Sequence, residues 1–236
     1  MSIPDLQPSK LGTKKHWDEV YSEEITNFND HQDEGEIWFG QETVDKMVNW
    51  ALANDQIDRN NMRILEVGSG NGTLLFGFAK KDYPLESLFG IDYSEGAIKL
   101  AKSISEARGY QKISFNHCDF LNEDPPLPQT HQDSSLESWD LILDKGTFDA
   151  IALMQKEEDG TAPVSKYPQR IARLLKPGAY FLITSCNFTE SELQTAFSVT
   201  PELEYHSRIQ HPVYTFRGRS GSICASVAFQ KSVAKN

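Results

Sequence analysis

The chain has 236 residues, 39% hydrophobic and 24% charged, with a formal net charge of −11. That length suits one α/β domain with helices on both faces of a sheet, and excludes a second independent domain of ordinary size. No apolar run approaches the roughly 20 residues that span a bilayer, and the acidity excludes bare nucleic acid as the main partner, because neutralising phosphates needs clustered Lys and Arg.

Residues 1–13 are polar and proline-punctuated, and they read as loose. They lack both the apolar core of a signal peptide and the Arg-rich, acid-poor pattern of a transit peptide, so the expected compartment is the cytosol. Trp17, Val20, Tyr21 and Ile25 stand at helical spacing and predict an amphipathic helix over 14–24 with one aromatic face. A loop rich in Asp and Asn follows. Glu36-Ile37-Trp38-Phe39-Gly40 then leads into a second helix, whose Val44, Met47, Val48 and Leu52 repeat at three and four.

From Arg63 onward, short apolar runs alternate with helical segments, the pattern of βαβ units and a mostly parallel sheet. Strands are expected near 63–67, 87–91, 112–117, 139–144, 178–185, 203–209 and 223–230, and helices near 73–81, 94–108, 147–157, 165–175 and 189–197. No helix separates the last two strands, only the Gly218-Arg219-Ser220-Gly221 region. They should pair as an antiparallel hairpin at one end of the sheet. The result is a Rossmann-like, seven-strand, single-domain fold. Between Asn122 and Ser138 runs a Pro-, Gln-, Ser- and His-rich loop, long for a connection of this kind. Cys118, Cys186 and Cys224 are far apart and odd in number, which indicates buried reduced thiols rather than a disulfide framework or a zinc cluster.

Ile64-Leu65-Glu66-Val67-Gly68-Ser69-Gly70-Asn71-Gly72 ends a strand in a glycine turn that opens a helix. The glycines let backbone approach a ligand where a Cβ would obstruct it. Their spacing is GxGxG, whereas dinucleotide sites use GxGxxG to cradle a pyrophosphate on the helix N-terminus. S-adenosylmethionine has no phosphate, and its ammonium group favours a nearby carboxylate such as Glu66. Asp92, which ends the second strand before Tyr93, can accept the two ribose hydroxyls of an adenosine. Asp119 and Phe120, an acid beside an apolar ring, follow the third strand. The fourth strand runs into Asp144-Lys145-Gly146-Thr147, at the carboxyl-end edge where doubly wound folds put their chemistry. Asp144 points toward the transferred group in one reading, and caps the helix beginning at Thr147 in the other. Asp124-Pro125-Pro126-Leu127 precedes the fourth strand and lacks an aromatic, so it reads as a loop turn.

The segments LGTKKHWDEVY, GEIWFG, ILEVGSGNG, GIDYS, CDF, LDKGTFDAI, LLKPGAYFLITSCN and SGSICASVAFQK together closely resemble the seven-strand protein-lysine methyltransferases that modify translation elongation factor 1-alpha. The resemblance runs from Leu11 to Lys231. It implies S-adenosyl-L-methionine as cofactor, with Glu66, Gly68 and Gly70, beside Asn71, at the methionine end. It further implies Asp92 and Tyr93 at the ribose and adenine, and Asp119 and Phe120 at the adenine rim. Asp144 and Lys145 would stand at the mouth, Asp144 as the catalytic group orienting the target amine. An N-terminal segment carrying Trp17 and Tyr21 would fold over the cofactor, and Trp38 and Phe39 either stack beside the target lysine stem or anchor that segment. The implied partner is a basic protein met by a monomeric enzyme. A small-molecule methyltransferase and a non-catalytic cofactor-binding module share the same cofactor motifs and remain the alternatives.

Overall fold

The computed structural model describes residues 4–54, 57–60, 62–126, 139–216 and 219–233. Its helices are α1 (Lys14–His31), α2 (Gly40–Ala53), α3 (Thr73–Ala79), α4 (Glu95–Ala107), α5 (Thr147–Ala152), α6 (Tyr167–Leu174) and α7 (Glu190–Phe197). Its strands are β1 (Ile64–Val67), β2 (Leu88–Asp92), β3 (Ser114–His117), β4 (Trp139–Lys145), β5 (Leu175–Ser185), β6 (Leu203–Ile209), β7 (Val213–Phe216), β8 (Arg219–Ser222) and β9 (Ala225–Lys231).

Seven strands form one sheet in the order β3-β2-β1-β4-β5-β9-β6. The first five run parallel, and β9 lies antiparallel to both β5 and β6, the expected hairpin at the sheet's end. The strand order reverses between β1 and β4, which opens a crevice at their carboxyl ends. Because strand side chains alternate between faces, each strand serves two cores. Ile64, Leu141, Leu143, Leu182 and Ala228 pack with α2, α3 and α4. Leu65, Val67, Ile142, Ile183 and Val227 pack on the opposite face with Phe148, Tyr167 and Phe197 of α5, α6 and α7.

The structure departs from expectation in several places. Helix α1 runs seven residues beyond 24, to His31, because Phe28 is buried and continues the stripe of Trp17, Tyr21 and Ile25; Gln32, left-handed at φ 59°, ends it. The start of the chain is docked rather than loose from Asp5 onward. Asp5 pairs with Lys156 at 2.5 Å, Leu6 packs on the core, and the Ser9 N–H donates to the Leu153 carbonyl at 3.1 Å. Helix α5 stops at Ala152, five residues short of the expected 157. A separate two-stranded ribbon, β7–β8, rises from the connection between β6 and β9. Cys118 and Cys224 are buried as expected, but Cys186, just past the end of β5, is exposed. Residues 127–138 of the long loop lie outside the described residues. Its start is held by Asp124, which pairs with Arg170 and Arg173 of α6.

Candidate active site

A cavity of about 260 Å³ lies over the carboxyl ends of β1, β2 and β4. Its base is the glycine turn after β1, where Gly68, Gly70 and Gly72 all take positive φ. A Cβ on Gly68 would stand 1.9 Å from Thr147 Oγ1, and one on Gly70 2.6 Å from the Tyr21 hydroxyl. The turn is thus closed from one side by α5 and from the other by α1. The Gly70 N–H donates to Asp92 Oδ2 at 3.0 Å and the Ser94 N–H to Asp92 Oδ1 at 2.9 Å, so the carboxylate at the end of β2 sets the turn's shape. Burial pushes Asp92 up to about 6, against those two hydrogen bonds.

The structure brings most of the predicted residues together. From the turn, Gly68, Gly70 and Asn71 line the cavity; from β2 and beyond, Asp92 and Tyr93; after β3, Asp119 and Phe120. Trp17, Tyr21 and Trp38 line it from the N-terminal segment, and Lys145 from β4. The Trp17 and Trp38 rings stand 5.0 Å apart, and the Trp17 indole N–H donates to the Leu11 carbonyl at 2.7 Å. Phe120 is held between the Tyr167 ring at 5.0 Å and the Arg170 guanidinium at 5.3 Å. Asp119 accepts from the Leu121 N–H at 3.1 Å and from Asn122 Nδ2 at 2.8 Å, which fixes the turn below Phe120. Asn71 does more fastening than lining. Its Nδ2 donates to the Glu34 and Glu36 carbonyls at 2.9 and 3.3 Å, tying the segment between α1 and α2 down onto the glycine turn. Arg108 of α4 grips the same segment, with Nε 2.8 Å from Glu34 Oε1.

Three predicted residues stand outside the cavity wall. Glu66 lies beneath it, 1% exposed, with Oε2 lacking any hydrogen-bond partner among the described residues. Burial pushes Glu66 up to about 8, and the nearby Lys145 ammonium pulls the other way. Phe39 begins α2 in a left-handed conformation, with its ring against the turn after β4; a Cβ on Gly146 would meet Phe39 Cζ at 3.1 Å. Asp144 corrects an expectation. It faces α5 and α6 because it alternates with Lys145, and it is fully buried. Its Oδ1 accepts from the Thr147 N–H at 2.9 Å; its Oδ2 accepts from the Phe148 N–H at 2.9 Å and the Tyr167 hydroxyl at 2.5 Å. The carboxylate caps α5 and does not face the mouth. Burial still pushes it up to about 7.

Residues 58–221 match the methyltransferase domain family. The protein-lysine N-methyltransferase efm4 of Schizosaccharomyces pombe is 40% identical over 238 residues, covering 95% of each chain. EEF1A lysine methyltransferase 2 of Homo sapiens is 38% identical over 225 residues, covering 95% of this chain and 88% of that one. This chain belongs to the protein-lysine N-methyltransferases. The methyltransferase also matches the crystal structure of the [4+2]-cyclase SpnF at a TM-score of 0.64 and 14% identity over 99% of both chains. That likeness concerns the fold alone, since one fold hosts unrelated chemistries. The enzyme's cofactor is S-adenosylmethionine, and the residues present fit it. The unpartnered oxygen of Glu66 and the unpartnered Ser69 hydroxyl are buried polar atoms of the kind a polar ligand satisfies.

The methyltransferase's cavity also uses residues that motif reading passed over. Lys14, Thr147, Ile151 and Met154 line it. Lys14 Nζ stands 6.0 Å from the Tyr93 ring centre, and Thr147 Oγ1 donates to the Val67 carbonyl at 2.8 Å. Thr147 carries a readable signal. Gly146-Thr147 repeats after β4 the left-handed glycine and helix-opening threonine that Gly72-Thr73 supplies after β1. Ile151 and Met154 carry none, because an apolar residue beside a ligand reads like any core residue.

Proposed function

We propose that the enzyme methylates a lysine of translation elongation factor 1-alpha, acting as a cytosolic monomer on a basic protein surface rather than on nucleic acid or at a membrane. The observation that carries this reading is the near-full-length similarity to relatives of which several, the human protein among them, are named as EEF1A lysine methyltransferases. The net charge of −11 supports a basic partner.

When bound, S-adenosylmethionine would supply an electrophilic methyl group for transfer to the neutral lysine nitrogen. The protein's own task is to hold, align and dry the site. The unpartnered Glu66 oxygen suits the cofactor ammonium, Asp92 the ribose hydroxyls, and Phe120 with Tyr93 the adenine. Trp17 and Trp38 shield the mouth from water, and alignment of this kind contributes on the order of 7–11 kcal/mol in model reactions. The target lysine must arrive neutral. With an ordinary pKa of about 10.4, roughly one lysine in 2,500 is neutral at pH 7, a cost of ~4–5 kcal/mol. Asp144 acts through position in this reading: by capping α5 it sets the turn that presents Lys145 and Thr147.

The test is transfer of labelled methyl from S-adenosylmethionine to purified elongation factor, with the labelled residue located by mass spectrometry. Label on one lysine of the folded factor is the expected result. Label only on small molecules, or on no protein, overturns the reading.

A further inference from the structure

On the sheet face that packs against α2, the apolar residues of β4, β5 and β9 give way to polar ones toward the end of the sheet that carries the cavity. Leu141 and Leu143 are followed by Lys145 on β4, Tyr180 and Leu182 by Thr184 on β5, and Ala228 faces Leu182 while Ser226 faces Thr184 on β9. The register sets Lys145 beside Thr184. Thr184 is fully buried and Ser226 is 2% exposed, and their hydroxyls lie 2.6 Å apart. Ser226 Oγ is in turn 2.7 Å from Nε2 of His211, a half-buried residue between β6 and β7. Three polar groups therefore form a continuous hydrogen-bonded chain. It starts one strand over from a cavity-lining residue and ends on an imidazole.

Packing alone does not require this chain. Valine and alanine would fill the same positions, as they do at neighbouring Val227 and Ala228. Two hydroxyls would also satisfy each other without a third member. What the imidazole adds is a group that takes up and releases protons near neutrality. Asp144, on the opposite face, is fully buried, and its oxygens are taken up by the Thr147 and Phe148 N–H groups and the Tyr167 hydroxyl.

We propose that Thr184, Ser226 and His211 form the exit path for the proton that the target lysine sheds before it accepts a methyl group; this rests on the protein-lysine reading above. The lysine ammonium gives up one proton and keeps the lone pair on nitrogen. Thr184 Oγ1 receives that proton and passes its own to Ser226 Oγ, which passes its own to His211 Nε2. Both hydroxyls are restored, and the imidazolium releases its proton to solvent. The tautomer required carries hydrogen on Nδ1, which lies 3.3 Å from Cys224 Sγ, a weak acceptor. Thr184 pairs in register with the cavity-lining Lys145, one backbone strand spacing of about 4.8 Å away, and the proposed path crosses that gap through one water. The charged and titratable groups facing His211 are Glu42 and Lys46 of α2 and the Cys224 thiol. Burial and Lys46 hold its pKa below the ordinary histidine value, so it stands neutral and ready to accept.

Single-turnover methylation of the folded substrate, at saturating cofactor and from pH 6.5 to 10, tests the path in Thr184→Val, Ser226→Ala and His211→Gln. Thr184→Ser keeps the hydroxyl and serves as the rescue. Cofactor affinity by calorimetry and the His211 imidazole titration by NMR accompany each variant. The three disrupting variants should lose roughly 10- to 100-fold in rate at pH 7, the scale of proton-transfer catalysis. They should converge on the wild type near pH 10, where the lysine deprotonates unaided, with cofactor affinity unchanged. Thr184→Ser should keep the wild-type rate, and Ser226→Ala should move the His211 titration. Wild-type rates in Thr184→Val and Ser226→Ala, or a loss equal at every pH, overturn the path and leave a packing role. If the wild type itself transfers no methyl to protein lysine, the substrate reading falls and takes the path with it.

Discussion

Replacing Asp144 by asparagine leaves one carbonyl oxygen where two carboxylate oxygens accept three hydrogen bonds, from the Thr147 and Phe148 N–H groups and the Tyr167 hydroxyl. The new amide NH2 must then face at least one of those donors. An orphaned buried N–H costs about 1–3 kcal/mol, and losing the charge assistance of the remaining bonds costs a similar amount. The sum, about 2–6 kcal/mol, is a large share of the ~5–15 kcal/mol that holds a domain together. Urea unfolding of the cofactor-free protein measures it directly. Tyr167→Phe, which removes a single donor, should cost about 0.5–2 kcal/mol. The double variant should be less destabilised than the sum of the singles, because the two residues share one bond. If Asp144→Asn keeps its stability within about 0.5 kcal/mol while turnover collapses, the carboxylate works on the substrate and the capping argument is wrong.

Glu66, raised by burial to about 8, holds a proton at neutral pH in the folded, cofactor-free protein. Its contribution to stability is therefore full below the ordinary glutamate value of about 4.3 and is lost as pH rises through 8. A cofactor ammonium favours the ionised form, so binding at neutral pH should release a proton and tighten as pH rises from 6 to 7; calorimetry in buffers of different ionisation enthalpy checks both, and no release refutes the pairing. Asn71→Ala frees the Glu34 and Glu36 carbonyls, so cofactor affinity should fall about 5-fold and protease cleavage between α1 and α2 should quicken. The second-order rate constant with a folded basic substrate should fall as salt rises, since charges are screened beyond about 10 Å at 0.1 M, while saturated turnover moves less. A flat salt series means that the acidic surface serves solubility.

The sheet was legible because its signal is local and repeated. Apolar runs of strand length alternate with helical periods, and the missing helix before the last strand announces the antiparallel end. The errors fall where a boundary depends on a distant partner. Asn27, Asn29 and Asp30 argue for a loop by type, yet one buried ring, Phe28, carries α1 over them. The first residues look loose by composition, yet Gly12 has no Cβ, and one would sit 2.2 Å from the Leu153 carbonyl oxygen, so the segment docks tightly against the end of α5. Nothing adjacent in sequence announces that contact.

The site divides along a different line. Glycine spacing and the carboxylate that ends β2 led to residues that line the cavity, because a tight turn at a strand end requires those residue types. Asp144 was assigned by its motif position, and strand parity decides otherwise. Counting from Leu141 and Leu143, which face α2, the residue that shares their face is Lys145; Asp144 shares the face of Ile142 and looks toward Tyr167. The same parity, continued across the sheet, places the buried polar residues Thr184 and Ser226 on the face that Leu182 and Ala228 keep apolar. A buried hydroxyl loses hydrogen bonds to water and needs a partner to offset that loss. Two such residues in register, with an imidazole at their end, are therefore a more informative departure from the apolar pattern than any single motif residue. Parity sorts side chains by face before chemistry assigns them roles, and here it moves the proton question from β4's carboxylate to β5's hydroxyl.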